Sequence, residues 1–320
     1  MRLYAALLLC LSLCAPLPAL AQAEGRADRL AEAFFTLAPE GVGAEIVVTQ
    51  GGSVVLDRAV GIEPGQPRAL GSLSMSVTAQ CLSGLVEAGR LRWQSPMSGI
   101  LGWEGEGADI TVAALVTQSA GLSGDRTRGA MPLWYDAAAA GISSEVDASS
   151  DWRAVASWPQ EDRDAGGFAY SNENFALLGA VIEAVTGQRY ENACNGVLPN
   201  SRLIDPVGRF GPFAGWQGRL SDYAVFQAIL YGNRDAEGPA SDLGDGVVYG
   251  LGMYGRFRDR EWIWWHAGTL CLPGRIEATT CAMQMSDGWG VVMAMDSCPD
   301  FAQLAAMDRA LWEAFGDEQR

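Results

Sequence analysis

Three short segments bring together residue types that can attack a carbonyl group. Gly71-Ser72-Leu73-Ser74-Met75-Ser76 puts serines at the start of an apolar, helix-like run; Tyr170-Ser171-Asn172 precedes a second such run; His266-Ala267-Gly268-Thr269 follows a cluster of tryptophans. A serine hydroxyl is a poor nucleophile until a neighbouring base takes its proton. On a helix, the side chain three residues later shares its face, and for Ser72 that position holds Met75. A thioether is a weak hydrogen-bond acceptor that binds no proton near neutrality. Shifting the register does not help, because Ser74 and Ser76 are followed three residues later by Val77 and Ala79. No lysine stands elsewhere either, since all 22 basic residues are arginine. Tyr170 is then the first candidate base and His266 the second. A phenol with its ordinary pKa of about 10 needs nearby positive charge to serve.

Each of these residues also has a purely structural role open to it. Ser72 can cap its helix, and Ser171 or Asn172 the next. His266 can pack beside tryptophans in the strand-like run WIWWHAG. Alternation along a strand puts Trp262 and Trp264 on one face and Trp265 on the other, which reads as sheet packing rather than a sugar platform.

The elements that must hold these residues follow from periodicity. Residues 26–37 are helical in pattern, and AEIVVTQGGSVVLDRAVGI reads as two strands turning at Gly51-Gly52. The run from Ser72 to Ala88 reads as a long helix stopped by Gly89. From about 100 to 240 the pattern is helical, with Gly-, Asp- and Pro-rich connections. Strand character returns in VVYGLGMYGRFRDREWIWWHAG and RIEATTCAMQMSDGWGVVMAMD, with turns expected at Asp259 and Asp287-Gly288, and FAQLAAMDRALWEAF closes the chain as a helix. Strands at both ends of a helical centre predict an α+β domain, with a sheet lobe from about 22–71 and 241–320 and a helical lobe from about 72–240.

Taken in this order, the segments resemble the serine β-lactamase and penicillin-binding-protein-like hydrolases, particularly the branch of class C β-lactamases, D-alanyl carboxypeptidases and esterases. LVEAGRLRW, ITVAALVTQSAGL, YSNENFALLGAVIEAVTGQRY and GRLSDYAVF extend the resemblance over nearly the whole chain. The family motifs are S-x-x-K, Y-x-N and K-T-G or H-x-G. The resemblance implies an antiparallel sheet of about five strands flanked by helices, with the cleft between sheet and helical lobe. It also implies Ser72 as nucleophile, Tyr170 and His266 as catalytic, and Asn172, Gly268 and Thr269 as substrate-binding. The backbone N–H groups of Ser72 and Thr269 would form the oxyanion hole. Met75 stands at the lysine position, and Gln118 stands in TQSAGL where relatives often carry histidine. Two readings stay open: a serine acyl-hydrolase of an ester, amide or lactam impaired by the missing base, and a catalytically inactive relative whose cleft binds a peptide, cell-wall fragment or partner protein.

The remaining features bound location and partners. Residues 1–21 carry Arg2, an apolar run from Leu3 to Leu13, and small residues at Ala19 and Ala21, the pattern of a secretory signal cleaved after Ala21. The mature protein, 22–320, is expected to be periplasmic or secreted, without a membrane span. A net charge of −16 disfavours nucleic acid and anionic lipid. A small molecule or peptide in the cleft is the expected ligand. Five cysteines remain after residue 21, none with C-x-x-C spacing, beside the single histidine, so no metal or other cofactor is expected. Pro273-Gly274 between Cys271 and Cys281 is a turn signal, which predicts a disulfide closing that short loop. Cys81, Cys194 and Cys298 are left unassigned.

Overall fold

Gly51 and Gly52 both take positive φ (56° and 79°), the left-handed backbone of a tight hairpin turn. They join strand β1 (Ala44–Gln50) to β2 (Ser53–Val60). The computed structural model describes residues 17–316 except 123, 148, 159–166, 233–237 and 259–260. The other strands are β3 (Arg68–Ala69), β4 (Arg202–Leu203), β5 (Trp216–Gly218), β6 (Ser241–Gly244), β7 (Val247–Gly250), β8 (Met253–Arg258), β9 (Glu261–Leu272), β10 (Ile276–Met285) and β11 (Trp289–Met295). Eight of them form one antiparallel sheet in the order β2-β1-β11-β10-β9-β8-β7-β6, and β3-β5-β4 form a small second sheet.

Ten α-helices are described: α1 (Leu17–Leu37), α2 (Ser74–Glu87), α3 (Met97–Ile100), α4 (Val112–Val116), α5 (Thr127–Ala139), α6 (Asn172–Thr186), α7 (Tyr190–Ala193), α8 (Gly211–Ala214), α9 (Leu220–Tyr231) and α10 (Phe301–Gly316). Helix α1 buries Ala27, Leu30, Ala31 and Phe34, one stripe at helical spacing, against the back of the sheet. The α10 residues Met307, Leu311 and Phe315 join it there, with Ile46, Val48, Val291 and Met293 from the sheet. The front of the sheet packs on a larger core that includes Met75 and Val77 of α2, Phe175 and Leu178 of α6, and Tyr223 and Tyr231 of α9. No described helix is long and apolar enough to cross a membrane.

The α+β class and helix-to-hairpin opening stand, but the sheet has eight strands rather than about five. Leu251 (φ 52°) and Gly252 (φ 86°) turn the chain sharply between β7 and β8, splitting what reads in sequence as one strand-like run, and β6 adds a further edge. The turn expected at Asp259 and most of the expected signal segment lie outside the described residues. As alternation predicts, Trp262 and Trp264 stack on each other, 5.2 Å between centroids, while Trp265 stacks on Tyr254 instead.

The disulfide expected between Cys271 and Cys281 does not form. Cys271 pairs with Cys298, Cys81 pairs with Cys194, and Cys281 is a free thiol. The register explains it: Pro273-Gly274 is the tip of the β9–β10 hairpin, where Cys271 sits opposite Glu277 and Cys281 opposite Ala267, well up the ladder. Cys271 meets instead the segment that leaves β11.

Candidate active site

Ser72 lies in a single 3₁₀ turn, Gly71–Leu73, that runs directly into α2. Its side chain caps neither element. The two serines that follow are taken up by the fold. Ser74 Oγ accepts from the Trp216 N–H at 3.1 Å, while Ser76 Oγ donates to the Leu73 carbonyl at 2.7 Å and bonds the Tyr223 hydroxyl at 2.9 Å. Ser72 alone of the three is only partly buried.

Two glycines bring β9 against this turn. Gly71 has φ 52°, and a Cβ there would stand 3.1 Å from the Gly268 carbonyl carbon; a Cβ on Gly268 would stand 2.6 Å from Ser72 N. The Thr280 hydroxyl donates to the Leu70 carbonyl at 2.7 Å and fixes the approach from β10. The same contact brings the Thr269 backbone N within 3.4 Å of where a Gly71 Cβ would lie. Ser72 N and Thr269 N therefore both lie beside the Gly71–Gly268 contact. Strand β8 pairs with β9 only as far as Trp265, so from His266 onward that edge of β9 has no strand partner among the described residues.

Tyr170 sits between Ser72 and His266. Its hydroxyl lies 3.1 Å from His266 Nε2 and 3.3 Å from Met75 Sδ, with the Ser72 hydroxyl near enough to affect it. Met75 is fully buried, and its sulfur also faces the Tyr249 hydroxyl at 3.5 Å and Gln118 Nε2 at 3.8 Å. The Gln118 amide has one orientation open to it. Its Oε1 accepts from the Ser171 N–H at 3.0 Å and from Asn174 Nδ2, so its NH₂ must point to the sulfur. Three donors thus surround a weak acceptor where the motif calls for an ammonium.

Burial sets the protonation states. His266 is 3% exposed, and desolvation pushes its pKa down to about 4 against a Gly252 carbonyl that opposes the shift. The imidazole is therefore neutral at pH 7. Burial also raises the Tyr170 phenol well above its ordinary value, with the nearby Ser72 hydroxyl working the other way. The Tyr249 phenol is raised for the same first reason.

The remaining expected residues take varied places. Asn172 opens α6 and donates to Thr127 Oγ1 at 3.2 Å, while Ser171 is the true cap, accepting from the Glu173 N–H at 3.3 Å. Gly268 is buried against Ser72, and Thr269 is exposed beside it. Tyr249 and Asn174 were not singled out from sequence. Tyr249 lies 174 residues from Met75, and no spacing signal connects them. Asn174 lies two residues beyond Asn172 of the Y-x-N match, so a sequence signal for it exists. Among the described residues, no His, Cys, Asp or Glu group is arranged to hold a metal ion.

A family model described as Beta-lactamase matches residues 31–206. No curated protein matches the chain. Among solved structures, a D-stereospecific amidohydrolase from Streptomyces sp. is similar with TM-score 0.70 at 18% identity, covering 90% of this chain and 97% of its own. A D-amino acid amidase from Ochrobactrum anthropi SV3 gives 0.68 at 17%, covering 92% and 99%. A class C beta lactamase from Rhodobacter sphaeroides gives 0.66 at 15%, covering 90% and 99%. Those likenesses establish the fold, and the matched segment, more than half the chain and including Ser72, Gln118 and Tyr170, establishes kinship: the chain belongs to the Beta-lactamase family of serine β-lactamase and penicillin-binding-protein-like proteins.

Proposed function

We propose that the protein is a slow serine acyl-hydrolase in which a Tyr170–His266 pair stands in for the lysine base. The observation that carries this reading is the Tyr170 hydroxyl, which lies 3.1 Å from His266 Nε2 and near enough to the Ser72 hydroxyl to feel it. As Ser72 Oγ attacks the carbonyl carbon of an ester or amide, its proton passes to Tyr170 Oη and the Tyr170 proton passes to His266 Nε2. The carbonyl oxygen takes the negative charge between the N–H groups of Ser72 and Thr269, an arrangement worth a few kcal/mol in the transition state. Collapse expels the amine or alcohol, which recovers the proton along the same path. Water then releases the acyl group from Ser72 by the reverse sequence. The unpaired edge of β9 offers a peptide-like substrate backbone a strand to lie along. Amide substrates are favoured by two neighbours in fold, named as a D-amino acid amidase and a D-stereospecific amidohydrolase.

Slowness follows from the protonation states. An imidazole held near pKa 4 is a weak base, and a poorly matched base forfeits about 10²- to 10⁴-fold in rate. Hydrolysis of penicillins or cephalosporins at a rate useful for resistance is therefore not expected. The buried Met75, ringed by donors, favours a second reading in which the cleft only binds a peptide or wall fragment. The two part on one measurement, treatment with a fluorophosphonate probe followed by mass analysis. Probe mass on Ser72, lost in Ser72→Ala and at least tenfold slower in His266→Ala, supports the hydrolase. An unlabelled, folded wild-type protein supports the binding reading. Export across the cytoplasmic membrane by residues 1–21 belongs to the same proposal, and two disulfides fit an oxidising compartment.

A further inference from the structure

Helix α5 is tied at one end to the Tyr170–Asn172 segment and at the other to the tip of the β9–β10 hairpin. Its first residue, Thr127, accepts from Asn172 Nδ2 at 3.2 Å. Eight residues on, about 12 Å along a helix that rises 1.5 Å per residue, the Tyr135 hydroxyl donates to the Arg275 carbonyl at 3.1 Å. Arg275 lies in the turn between β9 and β10 and donates from Nε and Nη2 to the two Asp136 carboxylate oxygens, each at 2.6 Å. Strand β9 connects the same two places, with Thr269 beside the Ser72 turn and the hairpin tip a few residues later. Along that stretch the outer edge of β9 has no strand partner among the described residues, and Thr269 and Cys271 are exposed.

A solvated ion pair holds little by itself, so the firmness of this bridge depends on its two supports. On the helix side Trp134, next to Tyr135, is buried, stacks on Trp158 and donates its indole N–H to the Ser149 carbonyl at 2.9 Å. On the strand side the Cys271–Cys298 disulfide ties the end of β9 to the segment that follows β11. Neither support swings aside without losing these contacts. The direction of a substrate follows from ladder geometry. A strand added antiparallel to β9 places one residue opposite Thr269, and that residue exchanges both backbone hydrogen bonds with it. Its carbonyl, bound by the Thr269 N–H, is the one that Ser72 attacks, so the residues preceding it run towards Cys271 and the hairpin tip. At about 3.4 Å per extended residue, the 12 Å or so before the bridge holds about three of them.

We propose that the bridge from Tyr135 and Asp136 to Arg275 ends the cleft on the acyl side, so that the protein removes acyl groups of at most about three residues from the amino-terminal end of a peptide-like substrate. Tyr135 and Arg275 then determine specificity by length, and the interior of a long chain is refused. This inference rests on the hydrolase reading of Ser72. Acetyl-capped oligoglycine p-nitrophenyl esters of two and six residues differ in length alone, and p-nitrophenolate release reports kcat/KM for each. The six-residue ester is expected to react at least about tenfold more slowly than the two-residue ester. Tyr135→Ala/Arg275→Ala, which removes the bridge, should bring that ratio below about threefold. Arg275→Ala alone takes its place, with the ratio again expected to fall, if the double variant loses its native circular dichroism. A wild type that cleaves both esters equally fast would overturn the length limit and leave the hydrolase reading intact. A folded bridge variant with an unchanged ratio would do the same. Release from both esters no faster than by Ser72→Ala would remove the hydrolase reading, and the length limit with it.

Discussion

Under the proposed function, Met75 stands where the family motif has lysine, and its surroundings decide what a lysine there would do. Methionine and lysine have similar length and no branching, so position 75 accepts either stem with little strain. The difference lies in what the end of the chain meets. Two of the three groups around the sulfur, the Tyr170 and Tyr249 hydroxyls, can rotate to accept a hydrogen bond from an ammonium. The third cannot, because the Gln118 carbonyl oxygen is held by Ser171 and Asn174 and its NH₂ faces position 75. Met75→Lys alone should therefore gain labelling by penicillin or fluorophosphonate only partly. Adding Gln118→Glu keeps an oxygen for Ser171 and Asn174 and turns a second oxygen towards the amine. We expect Met75→Lys/Gln118→Glu to label on the order of 10²-fold faster than wild type, with Ser72→Ala in that background silent; a double variant no faster than Met75→Lys would refute the role given to Gln118. The relation of Met75 to Ser72 is legible in sequence because helix spacing links positions 72 and 75. The orientation of the Gln118 amide is not, since it depends on partners more than fifty residues away.

At the scale of elements, the site depends on how closely β9 passes the turn before α2. A Cβ at Gly268 would stand 2.6 Å from Ser72 N, 2.7 Å from the Leu70 carbonyl and 2.8 Å from Thr280 Oγ1, with backbone atoms on two sides. Backbone cannot give way as a side chain does, so Gly268→Ala must push β9 from the turn and part the Ser72 and Thr269 N–H groups. The expected cost is about 1–3 kcal/mol of stability and at least about 10²-fold in Ser72 labelling, read by thermal unfolding and probe kinetics on the same sample. A fully labelled Gly268→Ala protein would mean that the two N–H groups do not act together. The H-x-G match pointed to Gly268 from sequence, but the reason only Gly fits is tertiary. The Cys271–Cys298 pairing lay beyond sequence for a similar reason. A turn signal located the β9–β10 hairpin correctly, yet pairing along the ladder, and the return of the chain after β11, decide which sulfurs meet.

For the molecule as a whole, covalent and protonic constraints act on the same fold. The disulfides span 113 and 27 residues, and chain-entropy arguments assign them about 5 and about 3.5 kcal/mol. Cys81→Ser/Cys194→Ser is thus expected to lower the denaturation midpoint more than Cys271→Ser/Cys298→Ser, and the reverse order would show that native contacts rather than loop closure dominate. Acid acts through the single histidine. In the unfolded chain His266 takes up a proton near pH 6.5, whereas in the fold burial delays this until about pH 4. Between these values the unfolded state binds more protons, so stability falls as pH is lowered, begins to fall near 6.5 and levels off below about 4. At 1.4 kcal/mol per pH unit the interval bounds the loss at about 3 kcal/mol. The buried carboxyl of Glu45 acts in the opposite sense, because its raised value favours the folded state in acid. Wild type must therefore be compared with a variant lacking only the imidazole. Urea unfolding of wild type and His266→Phe at pH 7 and pH 4.5 makes that comparison. We expect the stability difference between the two proteins to shift by about 2 kcal/mol in favour of the variant at the lower pH. A difference that does not change with pH would place the His266 pKa near its ordinary value, and with it would fall the account of a neutral, weakly basic imidazole behind Tyr170.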